Sequence, residues 1–288
     1  MKYINKRTWK QKAKEYVKRP GSFVLLLLVL MAAVITISAL GFLLGHILIN
    51  GIPNLSWELF SWKYTSDNVS MMPAIMNTLV ITLISLLLSV PFGIGSAIYL
   101  VEYAKKVNKL VGIIRITAET LSGIPSIVYG LFGMLFFVVQ LGWGYSILAG
   151  SFTLSIMVLP VIMRTTEEAL LAVPDTFREG SFGLGAGRLR TVFRIVLPSA
   201  IPGILSGIIL AIGRIVGETA ALIYTAGTVA SVSGSVLSSG RTLAVHMYSL
   251  SREGMHTDQS YATAVVLLVI VILINFLSGR IAKYFSKQ

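Results

Sequence analysis

The sequence contains few charged residues and no cysteine. Charged side chains make up 12% of the 288 residues and hydrophobic side chains 55%, whereas about 25% of a soluble domain is charged. A soluble protein of this size could not bury so much apolar surface, and the mean hydropathy of +0.81 agrees with that. The lack of cysteine excludes a disulfide framework and a thiol nucleophile. Composition thus excludes a soluble enzyme and a disordered chain, and it indicates a helical membrane protein.

Six apolar segments are long enough to cross a bilayer as helices, which takes about 20 residues each. Helices are expected because backbone in lipid must satisfy its own hydrogen bonds. The first segment is longer than the apolar part of a signal peptide, so it predicts a transmembrane helix. The predicted fold class is an all-α membrane protein with six transmembrane helices. The segments are 23–49, 73–100, 124–141, 144–163, 199–226 and 261–282.

Basic residues are distributed unevenly between the two sides of this arrangement. The net charge of +12 would suggest nucleic acid in a soluble protein, but in a membrane protein Lys and Arg collect on the cytoplasmic side. With the N-terminus inside, 20 of the 24 basic residues are cytoplasmic and three are outside. Both ends are therefore predicted to be cytoplasmic, with no nucleic-acid partner. The predicted regions are a basic N-terminus at 1–22, the first helix and outer loop at 23–72, a transmembrane domain at 73–282 and a tail at 283–288.

Charged residues also mark the predicted cytoplasmic surface. Residues 111–123 predict an amphipathic helix at the membrane interface. Arg115 and Glu119 are four residues apart and are expected to pair on its polar face. Glu167 and Glu168 follow the fourth span and are expected to be solvated; contact with a partner subunit is the alternative.

The cytoplasmic segment 174–198 has the pattern of a helix–turn–helix. Residues 176–179 have capping-box spacing, with Thr before Glu, which predicts a helix to about Leu184. Gly185 and Gly187 permit a sharp turn, and a second helix is then expected to continue into the fifth span. The loop offers apolar side chains to a partner, namely Phe177, Phe182 and Leu184.

The same segment has a recognisable spacing. Glu179-Gly180-Ser181, Gly185 and Ile195-x-Leu197-Pro198 resemble the E-A-A-x3-G-x9-I-x-L-P loop of ABC importer permeases, with Gly-Ser in place of Ala-Ala. In that family the loop holds the coupling helix, which docks in a groove of the cytoplasmic ATPase. An unrelated structured loop is the alternative. The resemblance implies a coupling role for Phe177, Glu179, Gly180, Ser181, Gly185, Arg188, Leu197 and Pro198.

Four further stretches resemble the phosphate permeases of the Pst system. One of them, RTTEE at 164–168, is closer to the PstA type than to the PstC type. The resemblance implies the MetI-like permease fold, inorganic phosphate as substrate and the inner membrane of a prokaryote. It also implies a PstC-type second permease, two PstB-type ATPase subunits, and a PstS-type phosphate-binding protein docking on loops 50–72 and 227–260. The chain has no GxxxxGK[ST] loop, so ATP and magnesium are expected on the ATPase subunits and no cofactor on this chain. The stretches are IYLVEY (98–103), SGIPSIVYGLFG (122–133), RTTEE (164–168) and GRIVGETA (213–220).

Arg214 and Glu218 lie inside the predicted fifth span. Their spacing of four predicts that they share one helix face, with Arg214 about 20 Å from the cytoplasmic end. An intramembrane charge costs at least ~2.5 kcal/mol in lipid and usually faces a cavity or partner. A guanidinium fork fits a tetrahedral oxyanion, so the predicted substrate path contains Arg214, Glu218 and the adjoining Thr219. A purely structural ion pair is the alternative.

Other functions remain open from the sequence alone. One is import of another oxyanion, such as phosphonate, sulfate or molybdate. A stand-alone secondary transporter is less favoured, because no inverted repeat or paired broken helices are detectable. A membrane enzyme is a third alternative, and the lack of a catalytic constellation in the sequence disfavours it. The three histidines show no metal-ligand spacing; they are His46, His246 and His256.

Overall fold

The computed structural model describes residues 20–104 and 109–285, and these consist of helices and turns without strands. The predictions for 1–19, for Lys105 and Lys106, and for 286–288 lie outside the described residues. The principal helices are α1 (Pro20–Gly51), α2 (Met72–Ile98), α3 (Lys109–Ser122), α4 (Ser126–Gly133), α5 (Ile147–Leu171), α6 (Asp175–Gly183), α7 (Arg188–Thr191), α8 (Leu197–Val216), α9 (Ala220–Thr225), α10 (Leu243–Glu253) and α11 (Thr257–Phe285). Short π-helical turns follow α2, α4 and α7, at Tyr99–Tyr103, Met134–Gln140 and Val192–Val196.

The chain forms two compact units, Met1–Asn50 and Gly51–Gln288. The described part of the first unit belongs to α1, a helix of 32 residues. At 1.5 Å per residue this helix is about 48 Å long, which exceeds the ~30 Å hydrocarbon core. The predicted first span is therefore observed as a helix that extends beyond the predicted range at both ends.

The second unit is built around α2, α5 and α8. Their buried apolar residues form a continuous core that includes Ile81, Leu154, Met157 and Ile215. Glycines bring α8 close to α5, since a Cβ at Gly203 would lie 2.6 Å from the Ala169 Cβ. Without water to drive association, such small residues let membrane helices gain contact area. This packing places the coupling-loop residues at one end of the bundle.

Five helices among the described residues are long and apolar enough to cross a membrane, and a bent pair brings the number to as many as six. The bent pair consists of Val111–Ser122 and Ser126–Gln140, which meet at 101°. Its first arm is the predicted interface helix and its second arm is the predicted third span. All-α architecture and the approximate number of spans are thus confirmed.

The predicted fifth span is wrong at its outer end. It was expected to continue to residue 226, but α8 ends at Val216 and a separate short helix, α9, begins at Ala220. Gly217 caps α8, and its amide donates to the carbonyl oxygens of Gly213 and Ile215. The apolar composition continues across this break, so hydropathy does not detect it.

The segment between α9 and α11 is tied to the spanning helices by polar contacts. The Asn77 side chain donates to the Ser231 carbonyl at 3.0 Å and accepts from the Ser233 amide at 3.1 Å. The Thr242 hydroxyl caps α10, accepting a hydrogen bond from Val245. These contacts lie at the start of α2, at the end of the bundle opposite the coupling loop.

Candidate functional site: the coupling loop and the break after α8

Helix α6 of the predicted coupling loop begins two residues earlier than the capping-box pattern indicates. Pro174 occupies the N-cap position and offers no side-chain cap, while Asp175 supplies a carboxylate in the first turn. The predicted capping role of Thr176 and Glu179 is therefore wrong, because Thr176 already lies within the helix. Asp175 compensates, since a negative charge is favourable at a helix N-terminus.

The turn after α6 matches the prediction. The helix ends at Gly183, and Gly185 adopts φ of +80°, a left-handed conformation that favours glycine. The Ser181 and Thr191 hydroxyls lie 2.8 Å apart in a buried contact between the two arms. α7 then continues through a π-helical turn into α8. The two arms thus form one hairpin attached to a spanning helix.

Gly180 and Ser181 replace the two alanines of the resembling loop with different consequences. Ser181 is buried and supplies the hydroxyl that joins the arms. A Cβ at Gly180 would meet nothing within 4 Å. Glycine is therefore not required sterically at position 180, whereas Ser181 has a specific bonding role.

Arg178 joins the hairpin to the bundle, and its role was not predicted from the sequence. Its Nη2 donates to the Glu102 carboxylate at 2.8 Å and to the Leu170 carbonyl at 2.9 Å. Its Nη1 donates to the Val173 carbonyl at 2.8 Å. Glu102 lies in the π-helical turn after α2, so one side chain connects α6 with the ends of α2 and α5. Only the presence of Glu102 in a family-like stretch could have indicated this link.

The outer surface of the hairpin is apolar and exposed. Leu184 is 91% exposed and Phe177 50%. Glu179, Gly180 and Arg188 are also exposed around them. Leu197 and Pro198 lie instead at the start of α8, where Leu197 packs against a buried apolar cluster. The predicted coupling residues therefore divide into an exposed surface and a connection to the spanning helix.

Ion pairs at the same end of the bundle differ from those expected. Arg115 pairs with Glu167 at 2.6 Å rather than with Glu119. Glu168 pairs with Arg164 at 3.1 Å, and both side chains are more than 60% exposed. The expected solvation holds for Glu168, whereas Glu167 is only 13% exposed because it connects α5 to α3.

The predicted substrate residues meet at the break between α8 and α9. Arg214 lies in the last turn of α8, and Thr219 immediately precedes α9. Glu218 is buried, and its Oε1 accepts a hydrogen bond from the Ala221 amide at 3.0 Å. The prediction that Arg214 and Glu218 share one helical face is wrong, because the helix ends between them. Glu218 instead caps the next helix.

The guanidinium of Arg214 is available to bind an anion. Among the described residues, no carboxylate lies within ion-pair distance of it. Tyr129 belongs to α4, and its hydroxyl donates to the Leu121 carbonyl at 2.7 Å. Next to Tyr129, a Cβ at Gly130 would lie 2.8 Å from the Ala221 Cα, so α4 lies directly against α9. The sequence did not assign Tyr129 to this site.

Comparison with known proteins gives a consistent result. The model of the family described as "Binding-protein-dependent transport system inner membrane component" matches residues 89–288. The "Probable ABC transporter permease protein YqgI" of Bacillus subtilis is 36% identical over 268 residues, covering 87% of this chain and 90% of that protein. The "Phosphate transport system permease protein PstA 2" of Mycobacterium bovis is 33% identical over 260 residues, covering 89% of this chain and 85% of its own length.

Solved structures agree on the fold. A chain of the bacterial alginate ABC transporter superposes with a TM-score of 0.69 at 15% identity, covering 95% of this chain and 98% of its own. A chain of the MetNI methionine ABC transporter superposes with a TM-score of 0.58 at 22% identity, covering 75% and 94%. At such low identity these neighbours establish the architecture, not the substrate.

Proposed function

Because this chain belongs to the family of binding-protein-dependent transport system inner membrane components, we propose that it imports inorganic phosphate as a PstA-type subunit. The family match over residues 89–288 makes it a multi-pass ABC importer permease and not an enzyme. Such permeases work with a separate ATPase and a substrate-binding protein. The phosphate assignment is supported by relatives named as phosphate transport system permeases.

The observation that carries the proposal is the guanidinium of Arg214, which lies inside the spanning region and has no carboxylate partner among the described residues. Isolated charges in a membrane are costly, so Arg214 must face a cavity, water or an anion. Its planar fork can bind two oxygens of a tetrahedral anion at once. Glu218 does not compete for it, because its carboxylate is bound to the start of α9. Thr219, half-buried beside the break, adds a hydroxyl that can donate to the same anion.

The coupling hairpin supports an ATP-driven mechanism. We infer that the ATPase docks on the exposed face that contains Phe177, Phe182 and Leu184. Movement of the ATPase pair would be transmitted through Arg178 to α2 and α5, and through Leu197 to α8. The break after α8 would then open alternately to the two sides of the membrane. A stand-alone secondary transporter would have no use for such a hairpin.

The partners and location follow as parts of the same proposal. The other half of the path comes from a PstC-type permease, and two PstB-type subunits bind ATP and magnesium. A PstS-type protein docks on 50–72 and 227–260. The chain lies in the cytoplasmic membrane with both ends in the cytoplasm, and lipid surrounds its apolar exterior. A permease for phosphonate, sulfate or molybdate is the second candidate, since the same fork binds other oxyanions.

Uptake of labelled phosphate in cells lacking this chain tests the proposal. Wild type should restore uptake, and Arg214→Gln should lower it at least about tenfold, because a charge-assisted hydrogen bond contributes about 1.5–3 kcal/mol. The matched control is Arg164→Gln, at an exposed arginine on α5, which should retain uptake. Normal uptake by Arg214→Gln at equal expression would contradict the assigned role, and competition by sulfate or molybdate would favour the second candidate.

A further inference from the structure

A second arginine, Arg241, is buried at the opposite end of the bundle from the coupling loop, and it has no anionic partner in the part of the chain that the structure describes. Its side chain is 5% exposed, and its Nε and Nη2 atoms have no hydrogen-bond partner. These two nitrogens form one edge of the guanidinium, the edge that binds a carboxylate or phosphate in bidentate fashion. A buried charge normally has a partner, so the edge indicates a missing anion.

Residues 20–104 and 109–285 do not provide that anion. The acidic residues in the neighbouring segments 51–71 and 227–260 are all exposed, and none of them forms an ion pair with Arg241; they are Glu58, Asp67, Glu253 and Asp258. The only close aromatic partner found among the described residues is Tyr64, whose ring centre lies 4.6 Å from the Arg241 Cζ. A cation–π contact covers one face of the guanidinium and leaves its edge available.

His246 is a second buried polar group, and it packs against the same tyrosine as Arg241. It is completely buried in α10. Neither ring nitrogen has a hydrogen-bond partner of good geometry, and the contact of the ring with the Val69 backbone is the weakest of the influences on it. Its ring packs edge-on against Tyr64, with centres 6.2 Å apart. Burial and, secondly, the charge of Arg241 lower the pKa of His246 from 6.5 to about 3. The imidazole is therefore neutral at physiological pH and can donate one N–H to an anion.

The backbone around Arg241 is fixed. Its amide donates to the Val229 carbonyl at 2.9 Å, and its carbonyl accepts from the Asn77 side chain at 3.2 Å. The next residues begin α10, where the Leu243 amide donates to the Thr78 hydroxyl at 2.9 Å. Two of these contacts are with α2. The backbone that carries the side chain is thus held in place, and the Tyr64 ring covers one face of the guanidinium, as in a preorganised site.

We propose that Arg241 and His246 form a second oxyanion site, separate from Arg214, which holds the transported anion at the end of the path opposite the coupling loop. The Nε and Nη2 edge takes two oxygens of the anion, and the imidazole donates to a third. The identity of that anion as phosphate depends on the proposed function. The site itself depends only on the buried groups around Tyr64.

Thermal unfolding of the purified complete importer, with inorganic phosphate as the probe, tests this site. All variants carry Arg214→Gln, which removes the anion site proposed at Arg214. A ligand of the folded state raises the Tm by mass action, so millimolar phosphate should raise the Tm of the Arg214→Gln importer. Adding Arg241→Gln should remove the part of this Tm increase that phosphate binding at Arg241 causes. The matched control Arg252→Gln, at an exposed arginine near the end of α10, should keep the whole rise.

The possible outcomes distinguish whether the site exists from which anion it binds. Equal phosphate-dependent rises in the Arg241→Gln and Arg252→Gln proteins would overturn the site and leave water as the ligand of these groups. If sulfate instead of phosphate gives an Arg241-dependent rise, the oxyanion site stands and the phosphate assignment fails. If Arg241→Gln does not assemble, Arg241→Lys is used. It keeps the charge but lacks the fork, so it should show a smaller rise, and an unchanged rise would overturn the proposal.

Discussion

Arg178 shows how a single side chain can connect the hairpin formed by α6 and α7 with the spanning helices. It bonds to Glu102, to two backbone carbonyls at the end of α5, and to Asp175 within its own helix. Arg178 is 14% exposed and Glu102 8%. Removing one partner of such a pair leaves an uncompensated charge and costs about 3 kcal/mol or more when fully buried.

We therefore predict that Arg178→Met uncouples the importer. Binding-protein-stimulated ATP hydrolysis and phosphate uptake should both fall, by about tenfold or more, since 1.4 kcal/mol corresponds to a factor of ten. Arg190→Met, at an exposed arginine of α7, is the control and should retain both. Normal stimulation in Arg178→Met would show that force reaches the bundle by another route.

His246 should make the stability of the folded chain depend on pH. Its pKa is about 3 in the folded state because of burial and the charge of Arg241, against about 6.5 in an unfolded chain. Between these values the unfolded state binds the extra proton, so stability falls as pH decreases through 6.5. From pH 7 to pH 5 the loss is about 2 kcal/mol. The Tm of His246→Gln should fall less over this range, whereas His256→Gln should behave like wild type.

At the scale of helices, the two glycines of the coupling hairpin are not equivalent. Gly180 lies within helix α6, and a Cβ added there would meet no atom within 4 Å, while Gly185 has φ of +80°. Alanine is better than glycine in a helix by about 0.5–1 kcal/mol, and it is strained in the left-handed region.

We predict opposite effects for alanine at these positions. Gly180→Ala should raise the Tm by a few degrees, since about 1 kcal/mol corresponds to 2–4 °C at this size. Gly185→Ala should lower it and slow uptake, because the turn that joins the two arms is strained. Thermal unfolding of the two purified complexes makes the comparison, and a stabilising Gly185→Ala would show that the turn has another conformation.

Elements with a continuous periodic or apolar signal were predictable from the sequence. The long helices α1, α2 and α5, the interface helix α3 and the hairpin at 174–198 all occur where expected. The break at Gly217–Thr219 was missed because apolar residues continue on both sides of it. Its cause is local: a glycine C-cap followed by the Glu218 side chain bound to the Ala221 amide.

At the scale of the whole molecule, contacts between distant segments could not be predicted. Arg214 was found as an isolated charge in an apolar segment, but the packing of α4 against α9, directly after the break that follows Arg214, depends on the fold. Glu102 and Arg178 are 76 residues apart, and their ion pair requires the complete bundle. Arg241, Tyr64 and His246 come together from two loops. Composition identifies such residues as unusual, and only the fold identifies their partners.

We propose that this chain couples ATP hydrolysis to phosphate movement past Arg214. The most direct measurement reconstitutes the complete importer in proteoliposomes, with its binding protein on one side, ATP on the other and labelled phosphate as the probe. We predict ATP-dependent phosphate uptake that sulfate and molybdate do not inhibit and that Arg214→Gln abolishes. Phosphate uptake without ATP, or ATP-driven uptake of sulfate or molybdate in its place, would contradict the claim.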